Sequence, residues 1–337
     1  MSRTVRAKLP PHAGTPRPRF GELLQQFAGV SEADVESALD HQAEHGGRLG
    51  DILCERGVIE PDMIHQMLRR QARAIREACQ SARPGLTWPY PMHLSICLPA
   101  YNEAENIADC IESARTILPE FVQQYEIVVV DDGSRDATAE VVTECARRDA
   151  RVRLVKHEKN RGYGGAVTSG MRAATGDWVM FTDSDGQFSF LDLPQLLCDL
   201  PQHDFMIGYR YKRADHTMRL VNAWAWGRLV RLMLGVKVRD LDCAYKIFPR
   251  SMVERLQMTA TGACINAEIM AQLVHAGLKF REMAVNHYPR HRGTPTGARL
   301  GVIAKAFREL PQLWQYRHAK LDLTGIGTET TRRARAA

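Results

Sequence analysis

Two aspartates one residue apart, Asp183 and Asp185, directly follow the apolar run Trp178–Thr182. Carboxylate oxygens are hard ligands that suit Mg²⁺ or Mn²⁺. A divalent ion held there would neutralise a diphosphate while a bond to its phosphate breaks. The alternative is an Asx turn that caps the following helix. The pair predicts a metal site at Asp183 and Asp185, with Asp185 as a catalytic residue.

Three other polar or glycine-rich segments also follow apolar runs: Pro99–Glu103, Asp131–Ser134 and Asn160–Gly165. The carboxyl ends of parallel strands meet at one edge of a sheet, so these segments and the aspartate pair would line one crevice. Asp131 and Asp132 would accept hydrogen bonds from a nucleobase or a ribose; the alternative is an N-cap of the next helix. The glycines would let a ligand approach the backbone, although their spacing matches neither a Walker A nor a Rossmann motif.

The elements that must position these segments are visible in the hydrophobic pattern. Strand-like apolar runs cover 94–98, 126–130, 152–155, 178–182 and 205–207, and helical segments cover 103–118 and 136–148. This alternation predicts an α/β fold with a mostly parallel sheet and helices on both faces. From Tyr209 onward the sequence predicts helices and loops that close over the sheet edge.

The N-terminal part contains an internal repeat, in which residues 19–42 recur 29 positions later at 48–71. Each copy predicts a short helix, a turn and a longer helix, and two copies can bury a shared apolar face. We therefore predict a small all-α domain over 19–75, a linker containing Pro and Gly over 76–92, and an α/β domain over 93–320. Basic tails at 1–18 and 321–337 are predicted to lack fixed structure.

The 337-residue chain has 45 Lys and Arg against 39 Asp and Glu, a formal charge of +6. This excess of positive charge is small, so we predict no nucleic-acid partner. An anionic small molecule or an anionic membrane surface would explain the excess as well as a nucleic acid would. The eight cysteines form no Cys-x-x-Cys pair, which indicates reduced thiols. With no secretory leader and no apolar stretch of ~20 residues, we expect a cytoplasmic protein, at most peripheral at the inner face of the membrane. The apolar and basic run Arg219–Arg231 would lie on that surface or form an ordinary packed helix.

Four segments together resemble the motifs of the family-2 inverting glycosyltransferases, which have a GT-A fold: Leu98–Glu103, Val130–Ser134, Asn160–Gly164 and Asp183–Asp185. Within that family the chain is most similar to the dolichol- or polyprenyl-phosphate sugar transferases, and the resemblance covers about 93–297. It implies a nucleotide-sugar donor whose diphosphate and metal are bound by Asp183 and Asp185. The residues predicted to bind the nucleotide-sugar are Pro99, Tyr101, Glu103, Asp131, Asp132, Gly162, Asp183 and Gln187.

Three further segments resemble the acceptor side of this branch: Asp240–Lys246, Glu268 and Arg290–Gly293. Lys246, Arg290 and Arg292 would hold phosphate oxygens. Asp240 or Glu268 would act as the catalytic base if the acceptor is a hydroxyl group, whereas a phosphate acceptor is already ionised. The alternatives for these residues are surface ion pairs or helix caps.

The N-terminal repeat resembles the N-terminal domain of MshE-type secretion ATPases, which binds cyclic di-GMP. The resemblance rests on the Arg-Phe/Leu-Gly start and the Gln end of each copy. It implies that arginine and glutamine contact guanine or phosphate while apolar side chains lie against the bases. The predicted cyclic di-GMP-binding residues are Arg19, Gly21, Leu24, Gln42, Arg48, Gly50, Leu53 and Gln71. The alternative is a helical docking module that binds no nucleotide.

Together these features predict a metal-dependent inverting glycosyltransferase, regulated by cyclic di-GMP, that moves a sugar from a UDP- or GDP-sugar. The acceptor is either a polyprenyl phosphate or a glycan. The glycan stays open because Pro295-Thr296 stands where the polyprenyl-phosphate branch often has Ser-Lys. One alternative is a constitutive transferase with a protein-docking module. Another is a degenerate scaffold that only binds sugar nucleotides. No Gly-x-Gly-x-x-Gly opens a helix, which argues against a dehydrogenase.

Overall fold

The computed structural model of the chain describes residues 18–211, 217–290 and 308–317, and for 217–225 and 317 only the backbone. Its N-terminal module, residues 18–82, consists in this description of four helices. These are α1 (Phe20–Ala28), α2 (Glu32–His45), α3 (Leu49–Glu55) and α4 (Pro61–Ala82). The predicted order of short and longer helices is confirmed in both copies of the repeat.

The two copies pack around each other through equivalent contacts. A Cβ atom on Gly21 would lie 2.9 Å from Val35 Cγ1, and one on Gly50 would lie 3.1 Å from Ile64 Cγ1. Because these positions are related by the same offset of 29 residues, both glycines serve close helix packing. Leu24 and Leu53 are 0% exposed and form the centre of the module's core. The prediction that they contact cyclic di-GMP is therefore corrected: burial leaves them no surface for a ligand.

Helix α4 corrects the predicted boundary at 75 and the predicted linker over 76–92. The helix continues to Ala82, and Ile75 and Cys79 belong to the same hydrophobic core as the first strands of the sheet. The Arg76 guanidinium also lies 2.6 Å from the Glu120 carboxylate of the α/β part. The physical reason is amphipathicity, since apolar residues at helical spacing continue one buried face past the end of the repeat.

A seven-stranded sheet forms the α/β part within the described residues. Its strands are β1 (Tyr90–Ala100), β2 (Val122–Asp131), β3 (Val152–Lys156), β4 (Trp178–Phe181), β5 (Phe205–Tyr211), β6 (Lys246–Pro249) and β7 (Phe280–Asn286). Their spatial order is β3-β2-β1-β4-β6-β5-β7. Only β6 runs antiparallel to its neighbours in this sheet, so the predicted mostly parallel arrangement is confirmed.

Helices cover both faces of the sheet. The remaining ones are α5 (Ile107–Ile117), α6 (Thr138–Arg148), α7 (Tyr163–Ala173), α8 (Leu193–Asp199), α9 (Thr217–Leu234), α10 (Arg250–Arg255) and α11 (Ile265–His275), with a 3₁₀ segment at Leu310–Arg317. Val129 of β2 packs into the core that contains α4, and its neighbour Val128 packs into the opposite core with α7 and α11. Successive strand residues point to opposite faces, so two layers of helices sandwich the sheet.

The expectation that only helices and loops follow Tyr209 is wrong. Strand β6 lies in the middle of the sheet, between β4 and β5, and β7 forms one edge. Strand β6 has only four residues and begins with a lysine, so neither length nor alternation marks it in the sequence. Arg292, Pro295-Thr296, most of the predicted N-terminal tail and the whole C-terminal tail lie outside the described residues. In the described part of the chain, no helix has both the length and the apolar character that a bilayer crossing requires.

Candidate active site

Loops at the carboxyl ends of β1, β2 and β4 meet at one edge of the sheet. Ala100 and Asp131 are in register at the ends of β1 and β2, and the amide of Asp132 donates to the carbonyl of Ala100 at 2.9 Å. The Ser184 hydroxyl donates to the carbonyl of Pro99 at 2.8 Å and so ties the aspartate loop to β1. The predicted Pro99 thus contributes a buried backbone carbonyl. Tyr101 lies in the same β1 loop, with its side chain half-buried.

The carboxylates of Asp183 and Asp185 lie close together in this crevice, with little access to solvent. Burial raises the pKa of Asp183, whose Oδ1 accepts a hydrogen bond from the Tyr163 hydroxyl at 3.1 Å. Burial, followed by the negative charge of Asp183, raises the pKa of Asp185 to about 7. Two ionised carboxylates in this position repel each other, so a cation would stabilise the pair.

The Arg290 guanidinium faces two carboxylates of the crevice. Arg290 Nη2 donates to both Glu103 oxygens at 2.7 and 2.8 Å, and Nη1 lies 3.4 Å from Asp185 Oδ2. The predicted phosphate-binding arginine therefore lies among predicted donor-site residues. Gln187 donates from its side chain to the carbonyl of Tyr288 at 2.9 Å, and its own carbonyl accepts from the Tyr288 amide. Gln187 thus connects the aspartate loop to the segment that carries Arg290.

Asp131 and Asp132 have different environments. The Asp132 carboxylate pairs with His157 Nδ1 at 2.7 Å and accepts from the amides of Arg161 and Gly162 at 2.8 Å each. It therefore holds the glycine-rich loop at the start of α7, and Gly162 contributes its amide to that contact. Asp131 Oδ1 accepts from the Ser134 amide, but Oδ2 is buried with no hydrogen-bond partner in the described residues. A buried carboxylate oxygen without a donor is unfavourable, so Asp131 has capacity for a ligand N–H or O–H.

Lys246 does not face the crevice as a phosphate ligand. It is 0% exposed, and its ammonium donates to the carbonyls of Leu241, at 3.0 Å, and Cys243 and to Asn266 Oδ1, at 2.7 Å. An ammonium has three N–H donors, so these contacts account for all of them. Burial also lowers the pKa of Lys246. The predicted phosphate contact is corrected to a structural one, in which Lys246 holds the loop before β6.

Glu268 and Asp240 are also engaged in internal contacts. Glu268 is 0% exposed and accepts hydrogen bonds from the amides of Thr259 and Ala260, at 2.9 Å each, and from the Tyr316 hydroxyl. Asp240 accepts from Arg210 Nε at 2.6 Å and Nη2 at 2.7 Å. A general base needs a lone pair that faces the acceptor. The prediction that Glu268 is a catalytic base is therefore corrected, because its carboxylate is buried and engaged. Asp240 is engaged in a bidentate ion pair with Arg210.

The polar residues predicted to bind cyclic di-GMP each make a contact of their own. Gln42 donates to the carbonyl of Gly47 at 2.6 Å, and Gln71 donates to that of Pro18 at 2.8 Å. Arg19 is exposed and faces Glu22 of its own helix. Arg48 instead leaves the module and donates from Nη2 to the carbonyl of Gly186 at 3.4 Å.

Sequence reasoning missed three residues of this region, Tyr163, His157 and Arg210, and the contact of Arg48 with Gly186. Tyr163 lies inside the glycine-rich segment Asn160–Gly165, so a sequence signal for it existed. His157 follows β3 and Arg210 lies within β5, and neither belongs to a distinctive sequence pattern. Arg48 is 138 residues from Gly186, and no local pattern predicts that contact.

The donor set suits a hard divalent cation but is incomplete. Asp183 and Asp185 offer carboxylate oxygens, which are the ligands that Mg²⁺ and Mn²⁺ prefer. No group of three or more His, Cys, Asp or Glu side chains in the described segments is arranged to hold a metal. An ion at the pair would need further ligands besides these two carboxylates.

Comparison with known proteins shows which family the α/β part is similar to. Residues 95–257 match Glycosyl transferase family 2. The dodecaprenyl-phosphate galacturonate synthase of Rhizobium johnstonii is 26% identical over 226 residues, which make up 66% of this chain and 65% of the relative. The undecaprenyl-phosphate 4-deoxy-4-formamido-L-arabinose transferase of Pseudomonas aeruginosa is 34% identical over 176 residues, 50% of each chain. The chain thus spans less than two thirds of the length of these relatives.

A solved structure shows a similar fold. The glucosyl-3-phosphoglycerate synthase of Mycobacterium tuberculosis, in complex with Mn²⁺, UDP and glucosyl-3-phosphoglycerate, superposes with a TM-score of 0.53. It is 21% identical, and the match covers 73% of this chain and 83% of that one. The predicted GT-A fold is confirmed by this likeness and by the sheet. The α/β part of this chain therefore has a GT-A fold and contains a region similar to the family 2 glycosyltransferases.

Proposed function

We propose that this protein is a metal-dependent, inverting glycosyltransferase that moves a sugar from a UDP- or GDP-sugar to a polyprenyl phosphate, or to a glycan. The observation that carries the proposal is the buried pair Asp183 and Asp185 at the edge where the strand loops converge. A bound Mg²⁺ or Mn²⁺ would supply positive charge that stabilises the departing nucleoside diphosphate. The solved relative with Mn²⁺ and UDP supports this choice of ligand.

The charges in the crevice fit an anionic donor that arrives with a cation. Glu103 and Asp185 share the Arg290 guanidinium and Asp183 accepts from Tyr163, so three carboxyl groups stand against one guanidinium among Glu103, Asp183, Asp185 and Arg290. A metal would compensate the aspartates, and Arg290 would then be available to donate to phosphate oxygens. Asp131, with its unpartnered Oδ2, is the residue we propose for a nucleobase or ribose hydrogen bond.

The engaged carboxylates favour a phosphate acceptor over a hydroxyl acceptor. Both predicted bases, Asp240 and Glu268, are occupied by internal hydrogen bonds. A polyprenyl phosphate is ionised at neutral pH, so its oxygen can attack the sugar carbon without a base. The relatives named as dodecaprenyl- and undecaprenyl-phosphate transferases support the same class of acceptor. Attack from the side opposite the diphosphate would invert the configuration at that carbon.

The experiment combines purified protein, Mn²⁺ or Mg²⁺, UDP-glucose or GDP-mannose, and undecaprenyl phosphate in detergent. We expect nucleoside diphosphate release that depends on metal and acceptor, with inversion detected by NMR of the product. Asp185→Asn should lower kcat/KM by about 100-fold. Asp177→Asn is the matched control, because Asp177 is exposed and lies just before β4, at the end of the strand away from the site. Full activity of the Asp185 variant would contradict the metal role and favour a scaffold.

The proposed regulation by cyclic di-GMP rests on the repeat motif alone. We propose that the exposed Arg19 and the other polar ends of the repeat offer the ligand contacts, since Leu24 and Leu53 are buried. Calorimetric titration of the full chain with cyclic di-GMP tests this, with Arg19→Ala as the variant expected to weaken binding. No binding heat together with unchanged turnover would favour the alternative, a docking module on a constitutive enzyme.

A further inference from the structure

The N-terminal module reaches the aspartate loop through one side chain. Arg48 precedes α3, and its Nη2 lies 3.4 Å from the carbonyl of Gly186, the residue that follows Asp185. The approach is close enough that a Cβ atom on Gly186 would lie 2.2 Å from this nitrogen. Gly186 has a φ of +74°, a conformation that glycine adopts without strain. The loop is thus turned so that its carbonyl faces the module.

The module can hold this contact because it is anchored to the catalytic domain. Helix α4 packs Ile75 and Cys79 into the sheet's core, and Arg83 forms an ion pair with Asp199 of α8 at 3.2 Å. Arg48 precedes α3, which packs against α4. A side chain carried on a docked body loses less freedom when it binds than one on a flexible tether.

The charge of Arg48 also acts in the same region as the aspartates. The buried Cys110 thiol of α5 lies within the electrostatic reach of both groups: Arg48 lowers its pKa and Asp185 raises it, although burial is the dominant cause of its raised value. A guanidinium near two repelling carboxylates and a diphosphate site favours the anionic ligand. The hydrogen bond and the charge therefore act in the same direction.

We propose that Arg48 is a positioning residue of the donor site, by which the N-terminal module holds the loop Asp183–Gln187 in its diphosphate-binding conformation. This inference rests on the proposed function of that loop. Arg48 acts through the Gly186 carbonyl and does not itself touch the reacting atoms. The contact also connects the module to the active site, because any anion that binds the Arg48 guanidinium withdraws this donor from the loop.

The test replaces Arg48 in the full chain with Met, which keeps the aliphatic stem, and with Lys, which restores one donor and the charge. Arg56→Met is the matched control, since Arg56 directly follows the same helix, is exposed, and its guanidinium donates to the Ser37 hydroxyl within the module. With Mn²⁺ and the active donor, we expect Arg48→Met to raise the donor KM about 3- to 10-fold, the effect of one net hydrogen bond, with kcat within twofold. Arg48→Lys should recover most of the loss.

Hydrogen exchange of the backbone amides of 183–188 gives a second readout on the chain without ligands. We expect faster exchange in Arg48→Met than in wild type or Arg56→Met, and an unchanged rate in the module's own core. Wild-type exchange and donor KM in Arg48→Met would overturn the inference while the proposed function stands. If wild type turns over neither donor, the proposed function is wrong, and the exchange rates alone decide whether Arg48 orders the loop.

Discussion

The two copies of the N-terminal repeat share a fold but not an environment. Arg19 of the first copy is exposed and faces Glu22 of its own helix, whereas Arg48 of the second copy reaches Gly186 in the catalytic domain. The long helix of the first copy, α2, has 14 residues, but α4 has 22. The added turns carry the apolar residues that dock the module. Equivalent positions in a repeat therefore diverge in role once one copy gains a neighbour.

Removal of apolar contact area from the extended part of α4 should have the largest effect on stability. Ile75 is 1% exposed in the shared core, and its equivalent in the first copy is Gly46. We expect Ile75→Ala to lower the free energy of unfolding by about 2–4 kcal/mol in urea titrations. Tryptophan fluorescence and far-UV circular dichroism should report one transition. A separate unfolding transition for the module would contradict this comparison, because the docked module and the catalytic domain would then unfold independently.

The pair Leu39 and Leu68 sharpens the same comparison with a matched substitution. Leu39 is 42% exposed, whereas its equivalent Leu68 packs against the core shared with the catalytic domain. We expect Leu68→Asp to destabilise the protein by about 1–3 kcal/mol, because a charge loses water at that position. Leu39→Asp should change stability by no more than about 0.5 kcal/mol. Equal effects in thermal melts would mean that the two copies have equivalent surroundings.

Gly186 tests the contact from the side of the loop. An alanine there meets both a positive φ and the Arg48 guanidinium, so we expect Gly186→Ala to cost about 1–2 kcal/mol in donor binding. In an Arg48→Met background the clash between the alanine Cβ and the guanidinium disappears. Gly186→Ala should therefore weaken donor binding by less in that background. Donor titrations of the single and double variants form a double-mutant cycle. Additive losses would contradict direct coupling between these residues.

The pH dependence of stability concerns the loop that Arg48 contacts. The folded pKa of Asp185 is about 7, above its ordinary value of 3.8. The folded state therefore holds a proton that the unfolded state has lost, and stability from this group disappears as pH rises through about 7. Without metal, Asp185→Asn should exceed wild type in Tm by more at pH 8 than at pH 5.

The size of that pH difference is expected to be about 2–4 °C. Mn²⁺ should raise the Tm of wild type at pH 8, because a bound cation replaces the proton, and should leave the Tm of Asp185→Asn nearly unchanged. A difference between the two proteins that does not vary with pH would contradict the assigned pKa of Asp185.

Much of the fold could be predicted because its signals are local. Strands β1 to β5 and the repeat helices follow from runs and spacings within about ten residues. The short β6, by contrast, depends on its place between β4 and β5, where burial on all sides stabilises a four-residue strand. The extension of α4 was visible as an apolar face but was obscured by the prolines that follow it.

For the site, residue types predicted the location better than the roles. The loops after β1, β2 and β4 converge as their motifs predicted, and the acidic pair lies among them. Lys246 and Glu268 were expected to bind an acceptor, but burial turned both into residues that hold loops. A charged side chain is available for chemistry only where the fold leaves it facing a crevice.

The sequence by itself determined the α/β pattern, the repeat, and the acidic and glycine-rich loops, because each depends on backbone propensity and periodicity over a few neighbouring residues. Only the tertiary structure decided which charges face the crevice and which are buried, and that Arg48 reaches Gly186 across 138 residues of chain. Such contacts arise from the packing of α4 against α5 and α8. Packing combines residues distant in the chain, so no local pattern encodes it.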